Sequence, residues 1–160
     1  MNKSTSHYQP DDYDEHLCLK LPLGFWLCLL FLLRPFVVFL ASVSNSADRF
    51  GMLNMIYPDH RWAVIHAAAA IPAFVLLLTY TRRAPAAGNF LRRLWRHGRA
   101  LLATSALLNL AFLGAAPILL QQKMTPIIGL QWVLSFVVLY YLFRSRRIAD
   151  CFAEFPPPPK

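Results

Sequence analysis

The run LPLGFWLCLLFLLRPFVVFLASV, residues 21–43, decides the fold. It is long enough to cross a bilayer, since about 20 predominantly apolar residues suffice for a helical span. It also carries Arg34-Pro35 at its middle, a charge where charge is costly and a proline where the helix loses a backbone donor. A cleaved signal peptide is the competing reading. The length of the run, its internal Arg-Pro, the acidic stretch before it and the missing A-x-A site all argue for a retained span.

Composition agrees. The chain has 160 residues, of which 57% are hydrophobic and 15% charged. Soluble domains run at about 45–50% apolar and 25% charged, and a chain this short cannot hide the surplus in a water-soluble core. The net charge of +8 does not point to nucleic acid, because the basic residues gather at the ends of apolar runs, where they position membrane helices against anionic headgroups. Cys18, Cys28 and Cys151 show neither CxxC nor Cys/His ligand spacing, so no metal site, disulfide framework or cofactor is expected.

The chain divides accordingly. Residues 1–20 form an acidic tail containing Asp11, Asp12, Asp14 and Glu15, and residues 21–43 are the first span. An outer loop covers 44–61, and the second span covers 62–80 with Pro72 near its centre and an alanine-rich face for close helix approach. Residues 81–99 are a basic loop holding Arg82, Arg83, Arg92, Arg93, Arg96 and Arg99. Within it Asn89 is placed to cap a short amphipathic helix whose apolar face is Phe90, Leu91, Leu94 and Trp95. The third span is 100–120, an outer turn 121–124, the fourth span 125–143, and a basic, Pro-rich tail 144–160 with Arg144, Arg146 and Arg147. The tail's prolines favour a solvated polyproline II segment.

Lysine and arginine number twelve in the two tails and the 81–99 loop, against three in the outer segments, Arg34 completing the sixteen. The expectation is an all-α integral membrane four-helix bundle with both termini cytoplasmic. The arginines of the basic loop and C-tail serve as topology anchors for anionic lipid headgroups.

Helix rise then locates the polar residues. Arg34 lies roughly 13 Å, Asn109 roughly 15 Å, Gln131 roughly 9 Å and Ser135 roughly 15 Å from the outer ends of their spans. Three helices thus bring Arg34, Asn109, Gln131 and Ser135 to one layer, with Arg34 donating to the oxygens of Asn109 and Gln131. Pro35 leaves the Phe31 carbonyl free to accept as well. His66 falls roughly 6 Å below the outer end of its span, above that layer. Asp59 or Asp48 would reach in from the outer loop with the missing negative charge, and His66 beside Asp59 would make a proton-linked switch. Read without function, Arg34 and its neighbours fix helix packing, and His66 is a packed, hydrogen-bonded histidine.

Several stretches resemble the YfeZ-like family of short bacterial inner-membrane proteins of unknown function. They are Asp11-Asp12-Tyr13-Asp14, Leu19-Lys20-Leu21-Pro22, Phe25-Trp26 opening a span with an internal Arg34, and Leu53-Asn54-Met55-Ile56-Tyr57-Pro58-Asp59-His60. The resemblance is specific over about residues 11–62; Pro35 and the polyproline end depart from it. It implies a multi-span protein of the bacterial inner membrane, and no catalytic residues or ligand.

Three functions are in view. The first is a non-enzymatic protein acting by association with itself or another membrane protein. The second is a small oligomeric transporter or channel for an anion or lipid using Arg34. The third, a lipid enzyme, has only Asp59 and His60 as neighbouring candidates, and adjacent residues seldom converge on one site.

Overall fold

The computed structural model describes residues 8, 10–13, 18–44, 60–85, 87–119 and 126–156. These form a 3-10 turn at Pro10–Asp12 and seven helices: α1 Leu23–Leu32, α2 Arg34–Ser44, α3 His60–Thr81, α4 Asn89–Arg96, α5 Gly98–Leu119, α6 Pro126–Arg144 and α7 Arg146–Ala153. Among the described residues the extended structure is a single antiparallel bridge between Tyr13 and Leu19. The protein is all-α.

Residues 21–43, read above as one helix, are two. The chain bends by 67° between α1 and α2. Proline explains the place: Pro35 has no N–H, and its ring crowds the carbonyl one turn earlier. The ladder stops with Leu33 N–H on Leu29 O at 2.8 Å and resumes with Val37 N–H on Leu33 O at 3.1 Å. Two helices, over Ala63–Thr81 and Gly98–Ala115, are each long and apolar enough to cross a membrane; the α1–α2 and α6–α7 pairs would add two more if each bent pair is one span.

α5 is the central element, packed against α3, α6 and α1. Small residues set its antiparallel register with α3. His66 meets Asn109, the Ala69 carbonyl accepts from Ser105 Oγ at 2.7 Å, and Leu76 lies against Gly98. Ala69, Ala70 and Ala73 are buried on this face, which allows the close approach typical of membrane helices. Pro72 removes the N–H that would meet the Ala68 carbonyl, and the Ser105 bond falls on the adjoining residue of the opened turn.

One end of these helices is closed by a capping layer built from segments far apart in sequence. α4 follows Gly88, which takes the cap position without a side-chain bond, so Asn89 does not cap it. Its Trp95 is fully buried, and its indole N–H donates to the carbonyls of Cys151 and Glu154 at 3.1 and 3.0 Å. The first half of the 144–160 tail is α7, capped by Ser145 and burying Ile148, Cys151 and Phe152. Phe152 packs edge-on against Phe25 and lies against Trp95. The N-terminal segment joins through Arg147–Asp12 at 2.7 Å, Tyr8 on Asp150 at 2.8 Å, and Leu19 N–H on Glu154 at 2.9 Å. The Asp150 carboxylate, as hydrogen-bond acceptor, holds the Tyr8 phenol above its ordinary value. Burial pushes the Cys151 thiol up to about 11, so it stays protonated at neutral pH.

Gly98 sits where the layer meets the helices: a Cβ there would collide with the Phe152 ring and Leu76, whereas one at Gly129 meets open space. Gly98→Val is therefore expected to destabilise the protein by about 1–3 kcal/mol through overpacking, with Gly129→Ala neutral or slightly stabilising. Thermal unfolding of the two variants in detergent measures the difference; equal stability would contradict this packing.

Candidate functional site

Arg34 starts α2 at the bend, and the bend turns its side chain onto α5 and α6. Its Nη2 donates to Asn109 Oδ1 and to Gln131 Oε1, each at 3.1 Å. Its guanidinium carbon lies 4.7 Å from the centre of the Phe31 ring, so Phe31 meets it through the aromatic face. Asn109 Nδ2 donates to Ser135 Oγ at 2.9 Å, and Ser135 donates to the Gln131 carbonyl one turn back at 2.8 Å. The four residues placed in one layer by helix rise make one hydrogen-bonded chain.

His66 belongs to the same chain rather than above it. Its Nδ1 is 2.9 Å from Asn109 Oδ1. That oxygen can only accept, so Nδ1 carries the hydrogen, and Asn109 Oδ1 takes bonds from both Arg34 and His66. α3 begins at His60, two residues before the expected boundary, and the alanine register sets His66 opposite Asn109. Asp48 and Asp59 lie outside the described residues, as does the side chain of His60.

The electrostatics are lopsided. Asn109, His66 and Ser135 are buried at 6%, 4% and 0% exposure, and both of Arg34's acceptors are neutral amides. A charge at the centre of a membrane costs about 2.5–3.5 kcal/mol on insertion scales. Two hydrogen bonds from a charged donor, at about 1.5–3 kcal/mol each, are of the size that offsets it. Yet Nε and Nη1 of Arg34 are buried with no acceptor among the described residues, and each such orphan costs about 1–3 kcal/mol.

The arginines grouped above as anchors separate into two sets. Arg83 stacks on Trp95 and donates to the Glu154 carbonyl, Arg92 donates to the Pro85 and Ala87 carbonyls, and Arg147 pairs with Asp12. Arg99 also works inward, donating at 2.6 Å to the Phe143 carbonyl at the end of α6. These hold the capping layer together. Arg82, Arg93, Arg96, Arg144 and Arg146 are exposed, and Phe90 beside them is 76% exposed. The capping layer did not emerge from the sequence reading, although Ile148, Cys151 and Phe152 stand at helical spacing and signal a buried face.

Long apolar helices whose outer faces expose residues such as Leu130, Val133, Phe136, Val137 and Phe143 define an all-α membrane protein. The chain belongs to the DUF2919 family, a family of proteins of unknown function whose pattern matches residues 8–154. It is similar to Inner membrane protein YfeZ of Escherichia coli (strain K12), at 34% identity over 154 residues that cover 95% of this chain and 97% of the other. The likeness read over residues 11–62 thus extends through α7. No solved structure matches the chain.

Asn109 is the junction of the cluster. Asn109→Leu strips Arg34 and His66 of their shared acceptor and is expected to cost about 2–4 kcal/mol. Combining it with Arg34→Leu, which removes the stranded charge, should cost less than the sum by about 1 kcal/mol or more. Unfolding of the two single variants and the double variant in one detergent checks this; strict additivity would show that the residues do not interact.

Proposed function

We propose that the chain is a four-span protein of the bacterial inner membrane with both termini in the cytoplasm, acting by association rather than as an enzyme. Its role is that of an accessory or scaffold subunit, or of a self-assembling protein. Its partners are anionic headgroups at the cytoplasmic face and another membrane protein or a second copy of itself.

The capping layer carries this reading. The N-terminal segment, the Arg-rich segment and the C-terminal helix touch one another through Tyr8–Asp150, Asp12–Arg147 and Trp95–Glu154. Segments in direct contact lie on one side of a membrane, and the two tails (1–20 and 144–160) and the 81–99 loop to which they belong hold twelve of the sixteen lysines and arginines. That bias supports a cytoplasmic placement for all three. Four arginines spent inside the layer and five exposed around it give a rigid basic platform with exposed Phe90. Such a surface suits anionic headgroups and a docked neighbour. The similarity to a protein named for the inner membrane supports the location.

Reporter fusions at Gly88 and within 45–59 test the topology: cytoplasmic activity is expected at the first and export at the second. Mass measurement in native nanodiscs tests association, with a dimer or a co-purifying membrane protein as the expected result. An exported Gly88 fusion, or a bare monomer, would contradict the respective half of the reading.

A further inference from the structure

Among the described residues no carboxylate balances the charge of Arg34. Its Nη2 is engaged, while Nε and Nη1, with three N–H groups between them, are buried without an acceptor among those residues. The carboxylates of the described residues are Asp11, Asp12, Asp150 and Glu154. All stand in the N-terminal segment or the α7 region, within or beside the capping layer, and none reaches the cluster. The helices therefore surround a cation with neutral oxygens and leave donors over.

The bend changes how deep this cation lies. A straight span would put Arg34 well below its outer end. With the 67° turn, the 11 residues of α2 advance only about 6 Å along the α1 direction. His66 is about 9 Å from the start of α3, and Gln131 about 8 Å from the start of α6. Arg34, His66 and Gln131 thus lie within about two helical turns of the end opposite the capping layer, with Asn109 and Ser135 about 14–15 Å in, behind them. In a bilayer that end meets a headgroup layer, where phosphate is the abundant anion. Arginine suits phosphate: its guanidinium is planar, always charged and weakly hydrated, and its directed N–H groups match phosphate oxygens.

We propose that the Arg34 cluster is a binding site for a phosphate oxyanion, carried on a phospholipid headgroup or free in solution. The phosphate accepts from the unpaired guanidinium N–H groups and balances the charge, while Asn109 and Gln131 hold the opposite edge of the side chain. The inference rests on the membrane-spanning part of the function proposed above and not on association. Failure of the topology shows in the fusions and failure of association in the nanodisc mass, whereas the following measurement reads binding alone.

The full chain, purified in a neutral detergent and stripped of lipid, is unfolded thermally with phosphatidylglycerol, with diacylglycerol lacking the phosphate, or with inorganic phosphate. Phosphatidylglycerol is expected to raise the midpoint by roughly 5 °C or more, with no comparable rise from diacylglycerol. A similar gain from inorganic phosphate identifies a free oxyanion as sufficient; a gain from phosphatidylglycerol alone identifies a headgroup. Arg34→Gln should lose most of the gain. Gln131→Glu provides a second test should Arg34→Gln fail to fold, because it keeps the acceptor and supplies the missing carboxylate; it too should lose the gain. Equal gains in wild type and variants, an equal effect of diacylglycerol, or no response to either phosphate source would overturn the proposal.

Discussion

A guanidinium placed among apolar helices has to be held, and the rest of this structure depends on how. Arg34 reaches two amide oxygens, one on α5 and one on α6. Through Asn109 the contact extends to His66 on α3 and Ser135 on α6. α2, α3 and α6 thereby each join a polar network centred on Asn109 of α5. In lipid, where apolar side chains gain little by leaving one membrane neighbour for another, hydrogen bonds and close small-residue packing carry the specificity of helix association. The Ala69–Ala70–Ala73 face and the Ser105 bond supply the packing half of that pair.

At the other end the constraint is different. The helices finish in a layer where Trp95, Phe152 and Phe25 share one buried cluster, and arginines are used as structural donors. Arg83, Arg92 and Arg99 donate to carbonyls at turns and a helix end, Arg83 sharing the Glu154 carbonyl with the Trp95 indole. A basic loop read as a topology signal is thus also a scaffold, and its exposed arginines remain available to headgroups. The two ends divide the work: one fixes which chain segments lie together, the other fixes how the helices are rotated and how far they slide.

Much of this was legible in the sequence because apolar length and helix rise are local quantities. They located the long helices and set Arg34, Asn109, Gln131 and Ser135 at one level before any contact was known. What they missed is tertiary. His66 seemed to lie above that level because its depth was counted from a boundary at 62; contact between the alanine face and α5 sets its true partner. Pro35 announced a broken ladder but not a 67° bend, since the angle depends on what α2 packs against. The eight residues of α7 are too few to declare a helix by pattern alone; the spacing of Ile148, Cys151 and Phe152 marks an apolar face, and the fold supplies its partners Trp95 and Phe25. The separation of structural from outward arginines depends wholly on partners supplied by the fold.

The central claim is that Arg34 faces Asn109 and Gln131 rather than lipid or water. Nuclear magnetic resonance of the membrane-reconstituted protein, with arginine, asparagine and glutamine side chains labelled with nitrogen-15, tests it most directly. Through-space contacts from the Arg34 guanidinium protons to the side-chain amides of Asn109 and Gln131, with slow solvent exchange at Arg34 Nε, are the predicted result. A guanidinium that exchanges as fast as an exposed arginine, and contacts only lipid chains or water, would contradict the account.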